Sequence, residues 1–294
     1  MKIAVCIHLY HGKMWDEIVS YLRNLKVDYD LYVNLPIKNE FKGNVIPVDF
    51  NWVEYLDLNP DLRPGKVKTE HLATRHYLRF GMKENRKYGY DIPILEKIKT
   101  FNPNTVIINS PNKGVDIGGF LYTYKHIDPN TDLILKIHTK TGLGDPNKPS
   151  RTLISNGKSK AVALGHSWFQ TLMNGVLKNE NQVKKIIEEF EKNSSCGMVG
   201  GKINNNFSLN ANEMERLYRI IKLENKYDGC HFVGGTVFWV RNSILKKYLT
   251  PTNIVNILEI LPPGYVHEPS PNHAMERIFG CMVYNENQEL KLIK

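Results

Sequence analysis

Long apolar runs are missing from this sequence. None approaches the roughly 20 residues needed to span a bilayer, and the opening "MKIAVCIHLY" is an apolar strand behind a single lysine, too short for a secretion signal. Cysteine is scarce: Cys6, Cys196, Cys230 and Cys281 form no C-x-x-C pair and sit among apolar or glycine neighbours. That is the pattern of buried thiols in a reducing cytoplasm, so a cytoplasmic protein is expected. The net charge is +9, yet no block of five basic residues occurs. This balance admits nucleic acid, an anionic membrane surface touched peripherally, or a phosphorylated substrate as partner. Nucleic-acid binders concentrate lysine and arginine in a stripe or arm. The densest basic stretch here, "HYLRFGMKENRKYGY", reads as a solvated helix and loop, so nucleic acid is not expected. The phosphate loops G-x-G-x-x-G and G-x-x-x-x-G-K-[ST] are also absent.

What is present is an α/β alternation. "KIAVCIHLY" is a strand, and "KMWDEIVSYLRNL" places Trp15, Ile18, Val19, Leu22 and Leu25 at helical spacing. "YDLYVNLP" is a second strand stopped by Pro36, and "GNVIPVDF" a short third. The order predicts a βαβ unit in a largely parallel sheet. Ligands of such sheets lie beyond the carboxyl ends of the strands, which places His8, Asn34 and His138 on one rim. From Trp52 to Tyr90 no strand signal occurs. That stretch predicts a helical insertion with Tyr55, Leu58, Leu62, Leu72, Tyr77 and Leu78 as its core. The alternation resumes through "ILEKIKTF", "NTVIINS", the glycine-rich "NKGVDIGGFLYTYKHI" and "DLILKIHTK". The second half is more helical, with "CGMVGG" and "CHFVGGTVFWVR" as strands.

Four places carry candidate chemistry. The strand in "TDLILKIHTKTG" ends in His138, Thr139 and Lys140, two basic groups and a hydroxyl where a pocket opens, so an anion is expected there. Gly118 and Gly119, ahead of an apolar helical run, permit close backbone approach to a ligand. Asp116 in the same loop reads either as a ligand contact or as a helix cap. In "GGTVFWVR" the aromatics Phe238 and Trp239 follow small residues, which suits either a flat group over the glycines or core packing. The loop "HEPSPNHAMERIFG" enters a helix bearing His273, Glu276 and Arg277, the last two a candidate buried ion pair.

In chain order, "VCIHLYHGKMWDEIVSYLRNL..DYDLYV", "NKGVDIGGFL", "LILKIHTK", "GGTVFWVR" and "NHAMERIFG" resemble the rhamnan synthesis protein F family, glycosyltransferase-like proteins of bacterial surface-polysaccharide assembly. Two departures stand out: Ser150 precedes Arg151 where the family often shows Trp-Arg, and the loop Asn112–Asp116 lacks a second positive charge. The resemblance implies an α/β, GT-A-like, Rossmann-type fold with a mostly parallel sheet flanked by helices. It would form a single domain over 1–294 with the 52–90 insertion inside it. The implied activity is inverting transfer of a rhamnose or other deoxyhexose from a nucleotide-sugar donor to a glycan or lipid-linked acceptor. It further implies donor contacts from His8, Asn112, Gly114, Asp116, Gly118, His138, Lys140 and Gly235. Acceptor or phosphate contacts would come from Arg151, Trp239, His273 and Arg277. Glu276 would be the base that takes the acceptor proton; Asp116 is second choice, and Glu17 suits a helix cap or a nucleotide contact.

In many GT-A enzymes the strand in the place of "LILKIHTK" ends in an Asp-x-Asp that holds a divalent metal on the donor diphosphate. Here His138 and Lys140 stand there, so the cations are expected to neutralise the diphosphate with no metal cofactor. Asp145 is the nearby carboxylate that would rescue a Mn²⁺ or Mg²⁺ site. Thr139 is expected to face the opposite side of the strand and pack. The missing acidic pair leaves open a catalytically inactive nucleotide-sugar-binding scaffold. A glycoside hydrolase would instead need Asp116 and Glu276 to flank one bond.

Overall fold

The structure is a computed structural model, and it describes residues 1–37, 40–41, 44–47, 50, 52–62, 67, 69–88, 94–140, 152–155, 158–161, 166–224, 229–264 and 266–293. Its centre is a seven-stranded sheet built from β1 (Ile3–His8), β2 (Asp30–Ile37), β3 (Val106–Pro111), β4 (Leu133–His138), β5 (Cys196–Gly200), β6 (Phe238–Arg241) and β7 (Glu289–Lys291). The spatial order is β7-β5-β6-β4-β1-β2-β3. Only β6 runs against its neighbours; the other pairings are parallel. The fold is the expected α/β class with a mostly parallel, Rossmann-type sheet.

β1 and β4 are buried along their whole length, as central strands covered by helices on both faces must be. Their side chains therefore divide by parity. Ile3, Val5 and Ile7, with Leu133, Leu135 and Ile137, join one apolar core. Helices α1 (Trp15–Leu22), α4 (Ile94–Phe101), α6 (His166–Asn174) and α7 (Glu180–Lys192) pack there through residues such as Trp15, Ile98, Phe169 and Ile186. Ala4, Cys6 and Ile134 face a second core. That one is closed by α5 (Val115–Tyr124), α8 (Ala211–Ile221), α9 (Asn242–Tyr248), α10 (Pro251–Ile260) and α11 (Pro271–Asn285). His8, Lys136 and His138 share the second parity, so polar groups are inserted into an otherwise apolar face at the carboxyl rim.

The predicted βαβ start is present: β1 and β2 pair in parallel across α1. "GNVIPVDF" does hold a short strand, Asn44–Val45, but among the described residues it pairs with Glu40–Phe41 in a separate two-stranded sheet and not with the main one. The predicted helices of the 52–90 stretch are α2 (Trp52–Leu58) and α3 (Glu70–His76). They share a small core of their own with Tyr55, Leu56, Leu62, Ala73, Tyr77 and Leu78. Leu58 is exposed and Leu72 half-buried, because the helical stripe passes through Leu56 instead. All four cysteines are buried free thiols. Among the described residues no helix is long and apolar enough to cross a membrane.

The two glycines of α5 do not make room for a ligand. A Cβ on Gly118 would stand 1.7 Å from the Lys113 carbonyl oxygen, and one on Gly119 would stand 2.0 Å from His8 Nδ1. They let the preceding loop fold back on the helix and let the helix sit on the imidazole. Gly119→Ala is therefore expected to cost about 1–3 kcal/mol of stability through overpacking, read by urea denaturation.

Candidate functional site

At the carboxyl rim of β1 and β4 lies a cleft of about 560 Å³. Its walls come from separate parts of the chain: His8, Tyr10 and His11 after β1; His138, Thr139 and Lys140 after β4; Asn112 and Asp116 around the start of α5; Gly235 and Thr236 before β6; Asn272, His273 and Glu276 on α11. Glu70, at the start of α3 in the helical insertion, completes the rim.

The charged centre is an ion pair under the floor. Lys136, 1% exposed and in mid-strand, reaches Asp116 Oδ2 at 2.7 Å. Its ammonium also donates to the carbonyl and hydroxyl oxygens of Thr236, both at 2.9 Å. The Thr236 hydroxyl donates to Asp116 Oδ2 at 2.5 Å, closing the ring of contacts. Burial by itself pushes the Asp116 pKa up. The charges of His138 and Lys136, with hydrogen bonds from Lys136 and Thr236, overcome that and hold it well below the usual carboxylate range. Asp116 is not the helix cap: that position is Gly114, with φ +71°.

Both histidines of the rim are fixed. His138 Nε2 lies 2.6 Å from the Gly235 carbonyl oxygen, an acceptor, so Nε2 carries a proton. Asn34 donates to Ser110 Oγ at 2.9 Å and to the Ile108 carbonyl, which turns its own oxygen toward His8 Nδ1 at 2.8 Å. His8 therefore donates through Nδ1, and burial pushes its pKa down to about 4, against the pull of Asp116. It is neutral at physiological pH. The rim expected for His8, Asn34 and His138 is borne out by register, since His8 pairs with both of the others.

Glu276 sits across from this centre. Its Oε1 accepts the Gly235 N–H at 2.5 Å, and its Oε2 is 3.6 Å from Arg277. Burial raises its pKa above the ordinary glutamate value, and Asp116 adds to the rise, while the Gly235 N–H and Arg277 oppose it. One cleft thus holds two carboxyl groups driven in opposite directions, a carboxylate kept ionised and an acid made more basic. Such divergence is how one site separates electrostatic and proton-transfer work. Among the described residues no group of three His, Cys, Asp or Glu side chains is arranged to hold a metal ion.

The model of the family described as rhamnan synthesis protein F matches residues 84–288. The chain belongs to that family. The match begins after β1 and β2, and four of the five stretches that carry the resemblance lie inside it. No curated protein and no solved structure matches the chain.

Membership in the rhamnan synthesis F family ties the chain to rhamnan synthesis, and the cleft gathers most of the residues singled out in the sequence. His8, Asn112, Asp116, His138, Lys140, Gly235, His273 and Glu276 all line it. Gly114 and Gly118 do not; they shape the loop behind it. Trp239 is a correction. Phe238 pairs with Lys136 and Trp239 with Leu135, so Trp239 belongs to the opposite face, where it is fully buried and donates to the Val176 carbonyl. Arg277 is another: its guanidinium is buried and does not line the cleft, being engaged by Glu268, by the carbonyls of Asn206 and His273 and by Glu276, the ion pair that the sequence suggested. Thr139 does not pack on the far side; its Oγ1 accepts the N–H groups of Tyr10 and His11 at 3.0 and 3.1 Å and pins the β1–α1 loop. Glu17 lies in the first turn of α1 and does not line the cleft. Arg151 and Asp145 lie outside the described residues.

Lys136 and Thr236 are the functional residues that sequence reasoning passes over. The signal for Lys136 was a lysine interrupting an aliphatic central strand, two residues before His138 and hence on the same face. Thr236 left no comparable signal, since its role rests on a contact 120 residues away.

Lys136→Met should strand Asp116 as a buried, unpaired charge and cost about 3–5 kcal/mol. Adding Asp116→Asn should recover much of that loss, both read by urea denaturation. The raised Glu276 pKa makes a second prediction. Protonated Glu276 contributes stability below its unfolded pKa, and this is lost as pH rises through its folded value. Glu276→Gln should therefore melt above the parent protein at pH 8 and level with it near pH 4.

Proposed function

We propose that this chain is a glycosyltransferase that moves a sugar from a nucleoside-diphosphate donor to a glycan acceptor, with Glu276 as the general base. Its family supplies the setting, rhamnan synthesis, and a rhamnose-type sugar is the matching cargo. The observation that carries the reading is the pairing, in one rim cleft, of the Glu276 carboxyl group, whose pKa is raised, with the exposed ammonium of Lys140.

The chemistry follows from that arrangement. Transfer with inversion requires the acceptor hydroxyl to lose its proton as its oxygen attacks the anomeric carbon and the bond to the diphosphate breaks. A carboxylate whose pKa has been moved toward neutrality accepts that proton more readily than an ordinary glutamate does. Negative charge builds on the departing diphosphate, and Lys140, exposed at the rim, stands at the end of β4 to receive it, beside a His138 ring fixed by the Gly235 carbonyl. Asp116 is engaged by Lys136 and Thr236 through one oxygen, which suits it to hold this side of the cleft in shape rather than to move protons. A hydrolase reading finds less support, because Asp116 is already committed to that ion pair.

Uridine, guanosine and thymidine diphosphates, screened by thermal shift, should include at least one that raises the melting temperature. A ligand at 100 times its Kd would add about 2.7 kcal/mol. Glu276→Gln should then keep that shift while turnover of the matching nucleotide-sugar falls by roughly 10²–10⁴-fold. Turnover should persist in a chelator. Binding with unchanged turnover in Glu276→Gln would remove Glu276 as the base. Binding with no turnover in the parent would favour a scaffold.

A further inference from the structure

The side of the cleft formed by α11 holds polar groups that the protein itself does not satisfy. Asn272 is 4% exposed, and among the described residues neither its amide nitrogen nor its amide oxygen has a hydrogen-bond partner. Buried amides are nearly always paired, and an orphaned one costs about 1–3 kcal/mol. Asn272 lines the cleft, and it stands four residues before Glu276 on the same helix, so the two side chains are neighbours on one face. Ser270 caps the helix start: its Oγ accepts the His273 N–H, and its own N–H is taken by the Asn210 side-chain oxygen. The amide of Asn272 is therefore not spent on capping. Nearby, the Asn112 side-chain oxygen is a second buried, unpartnered atom of the same cleft, held where the Gly264 N–H donates to the Asn112 backbone carbonyl.

We propose that Asn272, with Asn112 lining the same cleft, is the acceptor subsite: it reads the hydroxyls of a neutral sugar ring next to the one that Glu276 deprotonates. An amide offers one donor group and one acceptor and carries no charge. That matches vicinal hydroxyls, each of which donates and accepts, and it gives no advantage to an anionic group. Lys140 is carried by the end of β4 and the neutral amide by α11, so the donor diphosphate and the acceptor ring are separated by chemistry. This inference rests on the glycosyltransferase reading and assigns the acceptor class to one wall of the same cleft.

The test uses Asn272→Leu and Asn272→Ala in the full chain, with a rhamnan oligosaccharide as acceptor probe and the nucleoside diphosphate found by thermal shift as donor probe. Expected are a rise in the oligosaccharide Kd of roughly tenfold or more, a nucleotide Kd within twofold of the parent, and a melting temperature equal to or above the parent's. A residue kept for packing would give the reverse, lower stability with unchanged affinity, and that result overturns the proposal. Loss of nucleotide affinity in either variant would overturn it too, by moving Asn272 to the donor. A parent protein that binds the nucleotide but not the oligosaccharide refutes the acceptor class alone. A parent that binds no nucleoside diphosphate refutes the transferase reading, and this inference falls with it.

Discussion

The ammonium of Lys136 ties together three segments from separate parts of the chain at the point where a cleft opens above them. It rises from the middle of β4, reaches the first turn of α5 through Asp116, and holds the turn before β6 through both oxygens of Thr236. An unpaired charge at that depth is far costlier than any single apolar contact around it. The position of α5 on the sheet and the path of the chain into β6 are thus set by the same group. The cleft lies above this junction, and its walls inherit their spacing from it.

The backbone shows what that junction constrains. Gly114 and Val115 are consecutive residues with positive φ, as are Gly235 and Thr236, and Val115, Gly235 and Thr236 line the cleft. A glycine takes that conformation without penalty, but a β-branched residue there costs on the order of 1–3 kcal/mol. Such strain survives only where surrounding contacts over-determine it. For Thr236 those contacts are the bonds to Asp116 and Lys136; for Val115 they are its neighbour Asp116 and the Gly114 N–H, which donates to the Pro262 carbonyl at 2.7 Å. These two turns are therefore held in place by contacts within the protein, which leaves less ordering there to oppose a ligand.

Much of this was legible in the sequence, and the limits have physical causes. The strand runs and the helical spacing of α1 are local patterns, so β1, α1, β2, β3 and β4 could be read directly. The rim of His8, Asn34 and His138 followed from a topological rule about parallel sheets. Parity would also have sent Trp239 to the far face, had the register of β6 against β4 been known; a strand's register against a distant partner is not a local property. "GNVIPVDF" has strand composition but finds only a hairpin partner, because composition does not choose the neighbour. Arg277 looked available because a lone motif cannot reveal the carbonyls of Asn206 and His273 that surround its guanidinium. The orphaned amide of Asn272 was invisible for the same reason: an absence of partners exists only in three dimensions.

Gly235 has an effect that reaches beyond geometry. Its N–H is bound by the Glu276 carboxyl group and its carbonyl by the His138 ring, so one residue without a side chain stands between the two. Placing a charge on Glu276 polarises the peptide units on either side of Gly235 and strengthens the carbonyl as an acceptor for His138. A proton gained or lost at one group is felt at the other, and Asp116 adds a direct electrostatic link to both. The hydrogen bonding of one wall of the cleft is thus tied through a single peptide residue to the charge state of the other.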